Sequence, residues 1–174
     1  MSASLWGRLL ILALLMGTAA GCGYHLTNSQ SGRLGSARTI WVPFFTNESR
    51  SPTAQTVLRR AFYEELHALR GLNPSDSEAA ADLAMKARII SYSSKAVSYN
   101  ALDQAREYSL SLNVELELAQ KGQTLPLWKG QVQAVKQYPA NTNLALQRNA
   151  EEQALDAAAR IIAHKFISAL EESY

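Results

Sequence analysis

The residues of this 174-residue chain that could carry covalent or metal chemistry are one cysteine and three histidines. Because Cys22 is the only cysteine, the sequence excludes an internal disulfide framework and a zinc site built on several cysteines. His25, His67 and His164 are far apart, and none has a metal-ligand spacing to another histidine or to a carboxylate motif. We therefore expect no bound metal and interpret each histidine as a surface or cap residue.

The carboxylate pairs of the chain offer little acid–base chemistry. Glu64 and Glu65, like the pairs at 151–152 and 171–172, are neighbours on predicted helices, where adjacent side chains point about 100° apart. The sequence contains no Gly-x-Ser-x-Gly elbow, no phosphate loop and no Gly-x-Gly-x-x-Gly motif. These patterns predict a protein that is not an enzyme and that needs no cofactor.

Charge and length favour one small, nearly neutral domain. The 17 basic and 15 acidic residues include no basic run of five or more, so an electrostatically driven nucleic-acid binder is excluded. A chain of 174 residues has room for one globular domain and little more.

Residues 1–21 have the pattern of a secretory signal peptide, because Arg8 precedes the apolar run 9–16 and a small-residue exit. The run is too short to cross a bilayer, which needs ~20 apolar residues. Ala19-Ala20-Gly21-Cys22 resembles a bacterial lipobox, which implies cleavage before Cys22 and acylation of that residue, for example with palmitate. By the same resemblance, Gly23 in place of an inner-membrane retention aspartate implies a lipid-anchored protein on the periplasmic side of the outer membrane.

The residues that follow separate into a tether and a folded domain. We expect residues 22–38, rich in serine and glycine, to form a lipidated N-terminus and tether, and residues 39–174 to form a single α/β domain. Residues 39–45 are dense in branched and aromatic types and predict a strand that lies at a sheet edge or bends at Pro43.

A first helix is predicted to begin at Ser51 and Pro52 and to end at Gly71. Its apolar stripe consists of Leu58, Ala61, Phe62, Leu66 and Leu69. Residues 73–81 are polar and predict a loop.

Three strands with alternating side chains are predicted next. The first begins after Asp82, the second covers residues 108–119, and the third contains Trp128, Val132 and Ala134 on one side. A turn is predicted at residues 121–123. One face of this sheet is apolar and the other is polar, as in an antiparallel sheet covered on one side.

The last segment predicts a long helix. Asn149 and Glu152 could form a capping box at its start, although the helix could also begin near Asn143. Its apolar stripe consists of Leu155, Ala158, Ile162, Phe166 and Leu170.

Together these elements predict an α+β fold, a two-layer sandwich with two helices on one face of a four-stranded mixed or antiparallel sheet. The order is β-α-β-β-β-α. The open face, rich in serine, asparagine, glutamine and glutamate, is either solvated or made to sit against another polar surface, such as the lumen of a large outer-membrane barrel.

The opening of the mature chain carries a family resemblance. Cys22-Gly23-Tyr24-His25-Leu26 resembles the mature start of the LptE family of lipopolysaccharide-assembly lipoproteins, which typically reads Cys-Gly-(aromatic)-His-Leu. The similarity extends to about Leu170. Further matches are residues 40–47, a helix with Arg59 and Leu66, Tyr138-Pro139, and Leu144-Ala145-Leu146.

The resemblance implies a non-enzymatic protein that plugs, and helps to assemble, the large outer-membrane β-barrel LptD. It also implies that the protein binds lipopolysaccharide for delivery to the outer leaflet. Because this glycolipid is anionic, its site requires basic groups.

The family's lipid-contacting basic residue, at the entrance to the last helix, corresponds to Arg148. Lys136 and Lys129 are further candidates on the same argument. A second basic residue of the family falls near Tyr99-Asn100, where this chain has no charge, and Lys95 or Arg106 could replace it.

Two other classes of function are alternatives to this role. The Ile-x-Val-Pro-Phe-x-x-Asn strand also resembles the start of several periplasmic α/β domains, so an outer-membrane lipoprotein of another secretion or transporter system is the alternative. An anchored hydrolase would need a clustered nucleophile and base, and the sequence offers none.

Overall fold

The computed structural model describes residues 34–172, so the predicted signal peptide, Cys22 and most of the predicted tether lie outside the described residues. Within residues 34–172 the chain forms six strands and two helices. In chain order they are β1 (Thr39–Trp41), β2 (Thr46–Asn47), α1 (Ala54–Arg70), β3 (Asn73–Pro74), β4 (Leu83–Tyr99), β5 (Ala105–Gln120), β6 (Trp128–Pro139) and α2 (Leu144–Glu172).

The strands form one mixed sheet in the order β3-β1-β4-β5-β6, and β2 also pairs with β4. The long strands β4, β5 and β6 are antiparallel, whereas β1 pairs in parallel with β3 and β4, and β2 with β4. One core joins the inner face of the sheet to α1 and α2. The predicted α+β class and two-layer arrangement are confirmed. The predicted count of four strands is too low, because the segment expected to be a loop contains β3, and β2 lies at residues 46–47, just after the first predicted strand.

The first predicted strand is interrupted at Pro43, which has no N–H to donate to a sheet. The neighbouring backbone of Val42 binds α1 instead. Its N–H donates to the Tyr63 hydroxyl at 3.1 Å, and its carbonyl accepts a hydrogen bond from Arg59 Nε at 2.9 Å. The strand therefore ends at Trp41, before Pro43, and a continuous strand through residue 45 was wrong. The alternative of a sheet edge was also wrong, because β1 lies between β3 and β4.

Helix α1 begins two residues later than the sequence predicts, at Ala54 instead of Pro52. Thr53 precedes its first residue, and Ser51 is a buried residue whose carbonyl accepts a hydrogen bond from Asn47 at 2.7 Å. The predicted end is confirmed, because Gly71 adopts a left-handed φ of 64° and its N–H donates to the carbonyl of His67 in the last turn of the helix. This turn brings Leu72 into the core, while Leu69, expected in the stripe, is exposed.

The alternation predicted for the long strands is confirmed. Leu110, Leu112, Val114, Leu116 and Leu118 of β5 are fully buried, and the side chains between them face the open side of the sheet. The hairpin of β4 and β5 is roughly 50 Å long. We call the end at Asp82 and Lys121 the base and the end at residues 100–104 the tip. The predicted turn at the base is present, and Gly122 adopts a φ of 81° there.

Helix α2 begins at Leu144, where the Asn143 side-chain oxygen accepts the N–H groups of Ala145 and Leu146 at 2.9 and 3.2 Å. The earlier of the two predicted starts is therefore confirmed, and a capping box at Asn149 was wrong because that residue lies inside the helix. The predicted stripe from Leu155 to Leu170 is buried. Neither described helix is long and apolar enough to span a membrane.

Candidate functional site

The start of α2 lies at the same end of the sheet as the tip. The N–H of Ala140, in the loop that leads to α2, donates to the carbonyl of Arg106 on β5 at 2.9 Å. Arg106 follows the tip by two residues. The structure therefore brings the segment that carries Arg148 and the segment that carries Arg106 to one end of the domain.

Arg148 lies in the first turns of α2 and is exposed. Among residues 34–172 its guanidinium has no hydrogen-bond or ion-pair partner. Leu144, one turn earlier, is 83% exposed, and Leu146 is also exposed. An unpaired cation beside exposed apolar side chains can bind a ligand that carries both anionic and apolar groups.

The tip adds a second exposed apolar group, Leu102, which is 77% exposed. The Asn100 side-chain oxygen accepts the N–H groups of Leu102 and Gln104 at 2.9 and 3.0 Å, and Asp103 has a φ of 56°. These contacts order the turn, so Leu102 projects from a defined backbone rather than from a loose loop.

The first ten residues of α2 contain no buried side chain, and burial begins at Ala154. A polar contact holds this segment to the sheet: the Tyr92 hydroxyl of β4 donates to the Glu151 carboxylate. Within the sheet, Tyr138 of β6 hydrogen-bonds to Ser94 of β4 at 2.6 Å. Burial and the Glu151 hydrogen bond raise the pKa of Tyr92 well above its ordinary value, so its hydroxyl stays protonated and donating.

The two lysines predicted as lipid ligands lie on opposite faces of the sheet. Strand alternation places Lys136 on the side covered by helices, with Ala134 and Tyr138, and Lys129 on the open face. Lys129 lies 3.1 Å from Glu117, and this contact, with Lys86 on the other side, lowers the pKa of Glu117. The structure therefore does not bring Lys129 and Lys136 together.

Lys95 and Arg106, the two residues that could replace the family's second basic residue, also lie apart from each other. Lys95 pairs in register with Ser109 and lies on the open face, whereas Arg106 adjoins the loop before α2. Arg106 is therefore the one that shares the end of the domain with Arg148. Both side chains are exposed.

Sequence reasoning missed the contact between Tyr92 and Glu151. A signal for it exists, because Tyr92, Tyr108 and Tyr138 occupy inward positions on three adjacent strands, with Tyr108 and Tyr138 stacked at 5.5 Å. Tyrosine hydroxyls on an inner face require polar partners. Which carboxylate of α2 lies nearest to the Tyr92 hydroxyl could not be predicted, because this depends on where the helix packs on the sheet.

The described histidines belong to structural contacts. His67 lies 3.3 Å from the carbonyl of Leu72, and His164 lies 3.0 Å from Glu65 across the helix pair. Within residues 34–172 no group of three histidine, cysteine, aspartate or glutamate side chains is placed to hold a metal ion.

This architecture defines a two-layer α+β domain with two helices on one face of a mixed sheet and one open polar face. The chain belongs to the LptE lipopolysaccharide-assembly family, whose model matches residues 37–170. No curated protein matches the chain.

Solved structures share the fold at low sequence identity. Rare lipoprotein B from Shewanella oneidensis is similar with a TM-score of 0.52 and 16% identity, over 76% of this chain and 93% of that one. A hypothetical protein from Chlamydia trachomatis is similar with a TM-score of 0.54 and 10% identity, over 78% of this chain and 96% of that one. At such identities the similarity establishes the fold alone.

Proposed function

We propose that this chain is an outer-membrane lipoprotein, anchored on the periplasmic side through acylated Cys22, that plugs and helps to assemble a large LptD-like barrel. It binds lipopolysaccharide there for delivery to the outer leaflet, without catalysing a reaction. Membership of the lipopolysaccharide-assembly family supports this role.

The observation that carries the lipid-binding part of the proposal is the unpaired Arg148 beside Leu144 and Leu146. Lipopolysaccharide presents phosphates next to acyl chains. A guanidinium forms charge-assisted hydrogen bonds with phosphate, and the leucines supply apolar contact area. Arg106, at the same end of the domain, and Lys136, on the covered face of the sheet, are further candidates. Lys129 on the open face is the weakest candidate because Glu117 already neutralises it.

The point where the chain enters the domain supports a plug with a base and a tip at opposite ends. The first described residues enter the sheet at the base, where the N–H groups of Arg38 and Thr39 bind Asp82. The tip is roughly 50 Å from the base along the hairpin. The tip and the start of α2, which carries Arg148, therefore lie at the end of the domain opposite the point where the described chain enters the sheet.

The open sheet face supports burial against a polar wall. The half of this face nearer the tip is the part that we assign to the wall. There the Gln133 side-chain amide donates to the Ser111 hydroxyl at 3.0 Å, and hydrogen-bonded neutral groups are covered by a polar surface at a lower cost than charges. The serine, asparagine and glutamine side chains farther along β5 and β6 offer neutral donors and acceptors to the same wall.

Replacement of Arg148 by aspartate tests the lipid site. We expect Arg148→Asp to weaken lipopolysaccharide binding by about tenfold, as loss of a charge-assisted hydrogen bond does, while barrel association is retained. The matched control is Arg50→Asp, which makes the same charge change at an exposed residue before α1. Binding is measured with the detergent-purified full chain and purified lipopolysaccharide. Equal losses in the two variants would move the site away from Arg148.

The barrel and the anchor are tested separately. A tagged pulldown from detergent-solubilised outer membranes, with co-purifying proteins identified by mass, is expected to yield a large barrel. Recovery of a different transport protein would instead support the alternative secretion-system role. Cys22→Ala is expected to shift the protein to the soluble periplasmic fraction, and retention of this variant in the membrane would contradict the anchor.

A further inference from the structure

The interruption between β1 and β2 opens a groove of about 420 Å³ on the open face of the sheet. Between the partners Trp41↔Ala84 and Thr46↔Arg88, residues 85–87 of β4 have no strand partner on this side among the described residues. The chain that bypasses them brings Trp41 and Phe44 to one side of the groove. The groove has the size of a small-ligand site.

The aromatic side of the groove is held in place. Phe44 is 64% exposed, although its neighbour Phe45 is buried in the core. The Arg59 guanidinium lies 4.6 Å from the Phe44 ring centroid and is itself fixed by its hydrogen bond to the Val42 carbonyl and by the Tyr63 ring at 5.2 Å. These contacts hold the exposed Phe44 ring in one position. A ring that binds a ligand benefits from being held in this way, whereas a ring that only faces solvent does not.

The polar side of the groove is charge-balanced. Its basic residues are Lys86, Arg88 and Lys129, and its acidic residues are Glu78, Glu115 and Glu117. Glu117 is shared by Lys86 at 3.4 Å and Lys129 at 3.1 Å, so the cations do not present a free positive field. A phosphate or another strong anion is therefore a poor match, and so is a cation.

We propose that this groove binds a neutral oligosaccharide. Sugar rings place their apolar C–H faces against Trp41 and Phe44, and their hydroxyl groups reach the ion-paired residues. A hydroxyl both donates and accepts, so it can bind a carboxylate and a guanidinium or ammonium at once without separating the pair. A peptide partner has fewer such groups and would need to cover the ion pairs with apolar or backbone atoms.

The groove is distinct from the end that carries Arg148. It lies on the open face, whereas Arg148 belongs to α2 on the covered side. Two envelope sources could supply the sugar: the hexose-rich outer saccharide of a glycolipid and the N-acetylglucosamine-containing glycan of the cell wall.

The test uses the full chain purified from membranes in a zwitterionic detergent without a sugar headgroup. Nuclear magnetic resonance follows the indole N–H signals of Trp41 and Trp128, assigned with a Trp41→Phe variant. Trp128 is the internal control because its ring packs in the core against Phe166 at 5.2 Å. The probes are maltotetraose for the hexose source and chitotetraose for the cell-wall source, each up to concentrations on the order of 10 mM.

We expect a saturable shift of the Trp41 signal, and an unchanged Trp128 signal, with one probe. A preference for maltotetraose assigns the glycolipid saccharide, and a preference for chitotetraose assigns the cell-wall glycan. Phe44→Ala is expected to weaken binding about tenfold. Leu69→Ala, at an exposed residue of α1 outside the groove, is expected to leave it unchanged. Because Arg148 is on the other side, Arg148→Asp is expected to leave sugar binding intact even if the lipid site fails.

Absence of a Trp41 shift with both probes overturns the proposal. A Trp41 shift that occurs only in the presence of a co-purified barrel also overturns it, because the groove is then a protein contact. Equal shifts of Trp41 and Trp128 would indicate a general conformational effect and would contradict binding in the groove.

Discussion

The side chains of Asp82 and Thr39 bind each other at the base of the sheet. The Thr39 hydroxyl donates to the Asp82 carboxylate at 2.9 Å and accepts the Asp82 N–H at 2.9 Å. The N–H groups of Arg38 and Thr39 donate to the same carboxylate at 2.8 and 3.0 Å. These four hydrogen bonds attach the start of β1 to the residue before β4, where the chain enters the domain.

The first prediction concerns the pH dependence of this contact. The hydrogen bonds from the Arg38 N–H, the Thr39 hydroxyl and the Thr39 N–H lower the pKa of Asp82. A lowered pKa in the folded state contributes stability above the unfolded pKa of about 4, and that contribution is lost as pH falls through the folded value. We expect Asp82→Asn to lower the Tm at pH 7, with the difference from the wild type disappearing in acid below pH 4.

Thermal melts of both proteins across this pH range measure the effect. Asp76→Asn is the matched control, because Asp76 is exposed in the loop before β4 and lacks this set of hydrogen bonds. A Tm difference between the wild type and Asp82→Asn that stays constant from neutral pH into acid would contradict the role assigned to the carboxylate.

The second prediction compares adjacent residues of β5 that face opposite sides of the sheet. Leu112 is fully buried, and Asn113 faces the open side. Leu112→Asp buries an unpaired carboxylate and is expected to prevent folding, whereas Asn113→Asp is expected to change the free energy of unfolding by less than about 1 kcal/mol. Circular dichroism melts distinguish the two variants. Similar stabilities of the two variants would contradict the burial assigned to Leu112, and a more stable Leu112→Asp would mean that the faces of the sheet are assigned the wrong way round.

The third prediction concerns the start of α2. Tyr92→Phe removes the hydrogen bond to Glu151, and we expect a cost of about 1.5 kcal/mol because the acceptor is charged. The first ten residues of α2 have no buried side chain, so the loss is expected to be local. Amide hydrogen exchange is expected to accelerate at residues 147–153 and to remain unchanged near Phe166. Uniform acceleration along α2 would show that the contact stabilises the whole helix instead.

The fourth prediction concerns Gly130, over which the ring of Trp128 lies. A Cβ at this position would be 2.8 Å from two ring carbons of Trp128. We expect Gly130→Ala to destabilise the domain by about 1–3 kcal/mol, as overpacking does, and Trp128→Phe in the same chain to recover part of the loss. Gln131→Ala, at the adjacent exposed residue, is the control for chemical denaturation. A Gly130→Ala protein as stable as the control would mean that the indole can move aside freely.

The features of the fold that depend on local periodicity could be predicted from the sequence. The alternation in residues 108–119 and the stripe from Leu155 to Leu170 depend on which residues repeat every two or every three to four positions. Burial of these faces is the same in any two-layer arrangement. The α+β class and the two helices on one face follow from that repetition.

Short strands and caps were not predictable in the same way. β3 exists because Asn73 donates to the Arg38 carbonyl and Ser75 to the Ile40 carbonyl, both at 2.9 Å. These hydrogen bonds join residues more than thirty positions apart, and a two-residue strand has no periodicity of its own. The break at Pro43 is likewise completed by Arg59 and Tyr63 of α1.

The sequence by itself determined the periodic elements, and it placed Arg148 near the start of the last helix. The signal peptide and the lipidation of Cys22 stay predictions. The tertiary structure alone decided which polar groups meet. It paired Tyr92 with Glu151, joined Arg106 to the end that carries Arg148, and formed a groove beside Phe44. The physical reason is that periodicity is a property of neighbouring residues, whereas a hydrogen bond between distant residues depends on how whole elements pack.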